Sequence, residues 1–66
     1  MKNIIPKLRK EKKITQEELA NEVGVTRQTI ISIETGRYIA SLPLAFKIAS
    51  YFDMKIEDIF TLEEDD

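Results

Sequence analysis

A capping box followed by a glycine, between Thr15 and Gly24, limits the possible folds of this chain more than any other feature. Thr15 stands three residues before Glu18, so the threonine hydroxyl and the glutamate carboxylate can each accept a backbone N–H at the start of a helix. Leu19 and Val23 then recur at helical spacing. Gly24 supplies a left-handed residue, which lets a helix stop and the chain turn sharply. A short helix is therefore predicted to start at Gln16 and to end beside Gly24.

A second helix is predicted immediately after this turn. Thr26 is its candidate N-cap, and Ile30 and Ile33 lie three residues apart on one face, with a glycine at position 36 as the next stop signal. These signals predict a helix from Arg27 to Thr35. Two short helices joined by a tight turn form a helix-turn-helix, here covering about residues 16–35.

The outer face of the second helix carries polar side chains opposite its two inward isoleucines. They are Arg27, Gln28, Thr29 and Ser32. Such side chains hydrogen-bond to base edges or phosphates, and arginine suits guanine while glutamine suits adenine. Any one of them taken alone is equally well explained as a solvated residue of an amphipathic helix. Their combination favours base reading.

Several motifs of the chain match one known family. They are Thr15–Ala20, Val23–Val25, Thr26–Ile30 and Ile33–Arg37. With these motifs the sequence resembles the lambda-repressor-like Cro/Xre helix-turn-helix regulators, from about Ile4 to Phe60, and its length and ends are most similar to the short stand-alone, cytolysin-repressor type. The resemblance implies an all-α fold, a single five-helix DNA-binding domain over residues 1–66, with a small two-stranded antiparallel ribbon from the two ends.

Two positions depart from the family pattern. Ile31 is apolar where the family usually has a polar, outward-facing side chain, which leaves the base contacts open. Asp53 stands where a helix-ending glycine is common, and aspartate can adopt the left-handed conformation.

The resemblance also implies roles for residues outside the second helix. Arg9 is expected to form a partly buried, bidentate ion pair with Glu34; the alternative is an exposed arginine without a fixed partner. The loop after Gly36 is expected to run along the DNA backbone. Phosphate contacts are predicted from Gln16, Thr26, Arg37, Tyr38 and Ser41. The ring of Tyr38 is equally suited to packing on the edge of the core.

The remaining segments complete the predicted domain, and the fourth helix is predicted to be scaffold. Asn3 is the candidate cap of a first helix that ends near Lys13, and Ser41 caps a fourth helix with Pro43 in its first turn. The expected core residues of these two helices are Ile5, Leu8, Ile14, Leu44, Ala45, Ile48, Ala49 and Phe52. A short fifth helix follows, then a possible strand at Thr61 and Leu62. The acidic tail, residues 63–66, is expected to be disordered.

Composition argues against an enzyme. The chain has no Cys and no His, so the commonest nucleophiles, proton shuttles and transition-metal ligands are absent, and we expect no cofactor and no metal. No apolar stretch approaches the roughly 18 residues of a membrane span, and no signal peptide is recognisable. We therefore expect a cytoplasmic protein that does not bind a membrane.

The net charge of −2 is divided unevenly along the chain. Residues 1–47 carry nine Lys and Arg against five Asp and Glu, whereas residues 48–66 carry one basic residue against seven acidic ones. A basic part can therefore face phosphates while an acidic end points away from them.

These features predict a sequence-specific transcriptional regulator, most simply a repressor, that binds an inverted-repeat operator in the major groove as a homodimer. A chain of this size buries only about 60% of its unfolded surface, and a single recognition helix contacts few base pairs, so both stability and specificity favour two copies. The predicted dimer interface consists of Met54, Ile56, Ile59, Phe60 and Leu62. Two alternatives remain open: an antitoxin that binds a toxin and its own operator, and a small helical module that binds protein and no nucleic acid.

Overall fold

The computed structural model describes residues 1–66 and contains five helices and one short two-stranded sheet. The elements in chain order are β1 (Lys2–Asn3), α1 (Ile5–Lys12), α2 (Gln16–Val23), α3 (Arg27–Glu34), α4 (Leu42–Tyr51), α5 (Ile56–Ile59) and β2 (Phe60–Thr61). The two strands are antiparallel, with Lys2 opposite Thr61 and Asn3 opposite Phe60. The all-α class with a terminal ribbon is confirmed. None of the helices has the length and apolar character needed to cross a membrane.

The start of α2 and the turn after it have the predicted geometry. The Glu18 N–H donates to the Thr15 hydroxyl at 3.0 Å, and the Thr15 N–H donates to the Glu18 carboxylate at 2.9 Å. Gly24 ends the helix with φ of 75°. A Cβ at Gly24 would have no heavy atom within 4 Å, so the glycine is needed for its backbone conformation and not for space.

The caps of α3 and α4 are also those expected. The hydroxyls of Thr26 and Ser41 each accept a backbone N–H three residues later, at 3.3 Å in both cases. The predicted end of the second helix was one residue too long, because Glu34 is its last residue and Thr35 is the C-cap. The Thr35 hydroxyl donates to the Ile31 carbonyl at 3.0 Å, and the same carbonyl also accepts the Thr35 N–H.

The predicted start of α1 needs a correction. Ile4 occupies the N-cap position, without a side-chain cap, and Asn3 lies one residue earlier in β1. The Asn3 carboxamide oxygen still accepts the Ile5 N–H at 3.1 Å, and its amide donates to the Ile33 carbonyl at 3.0 Å. Asn3 therefore joins the ribbon to the end of α3. The helix ends at Lys12, as expected near Lys13, and Lys13 is its C-cap with φ of 59°.

The core lies between the helices and contains residues from all five of them. Its largest fully buried side chains are Ile5, Leu19, Ile30, Ile48 and Ile59. Asp53 turns the chain between α4 and α5 with φ of 54°, the left-handed conformation that the family resemblance implies at this position. Helix α2 packs against both α3 and α4, so it connects the helix-turn-helix to the C-terminal half of the domain.

The acidic tail, which the sequence predicts to be disordered, lies beside the N-terminus. The Met1 ammonium lies 3.2 Å from the Glu63 carboxylate and 3.1 Å from that of Asp66, and the Glu63 N–H donates to Asp66 at 2.8 Å. The two ends meet because β1 pairs with β2. Hydrogen bonds to Asp66 and Glu63 raise the pKa of the Met1 amine, and the Glu63 N–H together with that amine lowers the pKa of Asp66. Solvent screens these exposed charges.

The predicted C-terminal strand is shifted by one residue. It covers Phe60 and Thr61 instead of Thr61 and Leu62, because α5 already ends at Ile59. Phe60 is consequently half-buried beside the core, and Leu62 lies beyond the ribbon in solvent.

Candidate nucleic-acid interface

The C-terminal end of α3 is fixed to α1 by an ion pair. Arg9 donates two hydrogen bonds to Glu34, from Nε to Oε2 and from Nη2 to Oε1, the latter at 3.0 Å. The side chains of Arg9 and Glu34 are 17% and 6% exposed, so this is the partly buried, bidentate pair that the resemblance implies. Arg9 also donates to the Ile14 carbonyl at 3.3 Å. A planar guanidinium held at three points fixes the orientation of α3.

Gln16 contributes to the same network from the first turn of α2. Its side-chain amide donates to Glu34 Oε1 at 3.1 Å. This contact links the start of α2 to the end of α3, a role that the sequence did not suggest. An amide nitrogen carries two hydrogens, so the second one is still available for the phosphate contact predicted from the sequence.

The outer face of α3 presents the four predicted base-reading side chains. Arg27 and Gln28 are exposed, and Thr29 and Ser32 are half-buried. The Gln28 amide donates to the Ser32 hydroxyl over 3.5 Å, a long bond that a base edge can replace at little cost. Three of the four, all except Arg27, line a shallow open concavity together with Thr26 and Tyr38. The structure therefore brings predicted base-reading and phosphate-contacting residues to one surface.

The loop after α3 is held against that helix by its backbone. The N–H groups of Arg37 and Tyr38 both donate to the Ser32 carbonyl, at 2.9 Å and 3.2 Å. The Arg37 side chain is exposed, and Tyr38 is 49% exposed where it lines the concavity. The Ser41 hydroxyl accepts an N–H group as a cap, which leaves its own hydrogen free to donate. The Thr26 hydroxyl accepts the Thr29 N–H and also shares a hydrogen bond of 3.1 Å with the Thr29 hydroxyl. The other four predicted phosphate-contacting residues thus have a side-chain donor available.

The predicted interface residues differ in how much surface they offer. Leu62 is 73% exposed, and Met54, Ile56 and Phe60 are half-buried beside the core. Ile59 is only 1% exposed, so it fills its own chain's core and has almost no surface to give to a partner.

Three exposed apolar residues were missed by the sequence reasoning. Ile39, Leu42 and Phe46 are 52%, 66% and 58% exposed. Ile39 and Leu42 line an apolar groove of about 570 Å³ together with Ala45, Ile56, Phe60 and Leu62. The spacing of Leu42 and Phe46, four residues apart and outside the inner face of α4, was the signal that could have found them.

Comparison with known proteins identifies the family. A helix-turn-helix family model matches residues 5–59. The chain belongs to the Cro/Xre-type helix-turn-helix family. This membership confirms the resemblance inferred from the sequence, and with it a DNA-binding transcriptional regulator and not an enzyme.

Relatives of this helix-turn-helix protein have nearly its own length. A helix-turn-helix-type transcriptional regulator of Methanocaldococcus jannaschii is 56% identical over 66 residues, covering 100% of both chains. YgzD, a regulator of the same type from Bacillus subtilis, is 52% identical over 65 residues and 98% of each chain. Among solved structures, the restriction-modification controller protein C.AhdI from Aeromonas hydrophila has a TM-score of 0.76 at 31% identity, over 83% of each chain.

Proposed function

We propose that this helix-turn-helix regulator is a sequence-specific repressor that binds an inverted-repeat operator in double-stranded DNA as a homodimer. The observation that carries the proposal is the way α3 is held. Its outer face keeps Arg27 and Gln28 in solvent, while Arg9 and Gln16 fix its last residue, Glu34. A rigid helix with free polar side chains at its N-terminal end suits insertion into the major groove.

In this proposal the side chains in the N-terminal turn of α3 contact the bases. The Arg27 guanidinium suits the O6 and N7 atoms of guanine, and the Gln28 amide suits N6 and N7 of adenine. Thr29 and Ser32 assist through their hydroxyls. Because Gln28 has only the long bond to Ser32 in the free protein, little is lost when a base takes its place.

Phosphate contacts position the helix in this proposal. Arg37 and Tyr38 extend from the loop that is tied to the Ser32 carbonyl, so their distance from the reading face is fixed. Thr26, Ser41 and Gln16 add donors at helix N-termini, where the helix dipole also favours a phosphate. The excess of basic residues in the first 47 positions supports the same orientation on DNA.

A second copy of the chain is the proposed occupant of the apolar groove. Leu42 and Leu62 are the most exposed large apolar side chains, and exposed apolar patches of this kind mark interaction sites. A stable interface covers about 800 Å² on each partner, which is roughly a sixth of the 4676 Å² of accessible surface. The proposed interface therefore extends beyond Met54, Ile56, Phe60 and Leu62 to the exposed side of α4.

Repression requires fewer interaction surfaces than activation does. Occupancy of an operator is enough to block polymerase, whereas activation needs a further contact with polymerase. A regulatory role for a chain of this size has two kinds of support. Relatives of nearly the same length are named transcriptional regulators, and a protein of similar fold is a restriction-modification controller protein. The protein is proposed to act in the cytoplasm, where its DNA would be.

An antitoxin is the second candidate. It is favoured by apolar surface outside the main groove, since Phe46 is 58% exposed and lines a separate hollow with Met54 and Ile56. In this case a toxin would cover part of the surface that the repressor proposal assigns to a second copy or to solvent. Co-purification with the product of a neighbouring gene distinguishes this candidate from a simple repressor.

Selection of bound sites from random duplex DNA tests the proposed function. The expected product is an inverted repeat whose half-sites lie about 34 Å apart, roughly ten base pairs, on one face of the duplex. Recovery of no enriched sequence, or of a single site without two-fold symmetry, would contradict the proposal.

A further inference from the structure

Ile31 is a large apolar side chain on α3 that the core does not use. The buried residues of this helix are Ile30 and Ile33. Ile31 is half-buried, but its side chain does not pack against the core. Its partial burial therefore comes from neighbours outside the core, and its methyl groups belong to the surface of the helix that faces DNA in the proposed function.

The direction of the side chain follows from helix geometry. A helical side chain leans toward the N-terminus and covers the turn before its own Cα. For Ile31 that turn holds Arg27 and Gln28, which lie four and three residues earlier. An isoleucine in a helix adopts one χ1 rotamer about 90% of the time, so this position is well defined. The methyl groups of Ile31 thus lie beside the two strongest candidates for base reading.

The major groove offers one apolar group on its base edges, the 5-methyl of thymine. From this we infer that Ile31 is a specificity-determining residue that contacts the 5-methyl group of a pyrimidine, next to the bases bound by Arg27 and Gln28. The inference rests on the proposed function. The same methyl group is present in 5-methylcytosine, so a comparison of cytosine with 5-methylcytosine separates recognition of the methyl group from recognition of thymine as a whole.

The first measurement replaces each thymine of the selected operator by uracil, which removes only the methyl group. One thymine per half-site is expected to be sensitive. Loss of one buried methyl contact corresponds to about 0.8 kcal/mol, or roughly fourfold weaker binding for each altered half-site. The other thymines of the operator are internal controls and are expected to tolerate the change.

The second measurement repeats this scan with variants of Ile31. I31A is expected to bind the thymine operator roughly fourfold or more weakly and to lose its sensitivity to uracil at that one position, while I31V keeps part of it. T35S removes a methyl group at the C-cap of α3 and keeps the hydroxyl that donates to the Ile31 carbonyl, so it is the matched control that leaves the sensitivity in place. Because Ile31 lies outside the core, I31A should unfold at nearly the wild-type temperature.

A third arm replaces the sensitive T·A pair by C·G or by 5-methylcytosine·G. If the methyl group is what Ile31 contacts, 5-methylcytosine binds roughly fourfold more tightly than cytosine to the wild type and equally to I31A. An operator that responds to no thymine-to-uracil change, or an I31A protein with full sensitivity, overturns the inference and leaves the proposed function intact. Failure of the selection to enrich any sequence instead overturns the proposed function, and the inference with it.

Discussion

Gln28 lies in the first turn of α3 and Arg37 in the loop after this helix, and both side chains are exposed, but their surroundings suit different tasks. Gln28 lies on the outer face of α3, in the turn expected to enter the groove, and has only a long bond to Ser32. Arg37 extends from a loop fixed to the Ser32 carbonyl, beyond the end of the helix. In the proposed complex, a side chain in the first position distinguishes bases, whereas one in the second contacts the sugar-phosphate backbone.

Replacing Gln28 by alanine is expected to relax the preference at one base pair of each half-site. The loss should be about 1–3 kcal/mol for the preferred base and close to zero for the others, because the amide no longer pairs with adenine. Binding measured on operators with every substitution at each position gives this result directly. An unchanged preference at all positions would remove Gln28 from the base-reading set.

Arg37→Ala is the matched control for this prediction. It should weaken binding to specific and non-specific DNA about equally and lower the slope of log K against log salt by roughly one. A loss confined to the specific operator would instead assign base reading to Arg37.

At the scale of the elements, the orientation of α3 depends on a small polar network. Glu34 accepts from Arg9 and from Gln16, so α1, α2 and α3 converge on one carboxylate that is 6% exposed. A carboxylate in this position is stabilised only while its partners are present, because burial of an unpaired charge is costly.

Removal of Arg9 alone is therefore expected to destabilise the fold strongly. R9M should lower the free energy of unfolding by about 3 kcal/mol, and the double variant R9M/E34M should lose less than the sum of the two single variants, since it leaves no unpaired charge. Urea unfolding of the four proteins measures the coupling. K10M is the control, because Lys10 is exposed and its change should stay within about 0.5 kcal/mol. A coupling energy near zero would mean that the ion pair does not hold α3.

The elements could be predicted from the sequence wherever a cap or a glycine marks their ends. Thr15, Gly24 and Thr26 set the ends of α2 and the start of α3 through local hydrogen bonds and backbone conformation, and local sequence contains that information. The errors fall where tertiary contacts decide. Asn3 lies in β1 because it pairs with Phe60, and the acidic tail contacts the Met1 amine. In each case the two partners lie at opposite ends of the sequence.

At the scale of the whole molecule, the sequence predicts an interface in the later residues, and the proposed interface adds exposed apolar residues that the sequence did not predict. Ile39, Leu42 and Phe46 were missed because apolar residues in and before a mostly apolar helix look like core. The four-residue spacing of Leu42 and Phe46 is the one local sign that these two lie outside the inner face of α4. Ile59 was predicted to be an interface residue but is buried in the core. In a four-residue helix the local sequence does not distinguish a buried isoleucine from an exposed one.

The oligomeric state of the protein, with and without DNA, tests the central claim most directly. Sedimentation velocity at micromolar concentration should give a dimer for the wild type and a folded monomer for L42K, because each lysine would place an unpaired charge in an apolar interface. K47A is the control, since Lys47 is exposed on the same helix and lines neither apolar hollow. On the selected operator the account predicts two chains per inverted repeat, and L42K should lose most of the affinity gained from the second half-site. A wild-type protein that is monomeric without DNA and binds a site lacking inverted symmetry as one chain would contradict it.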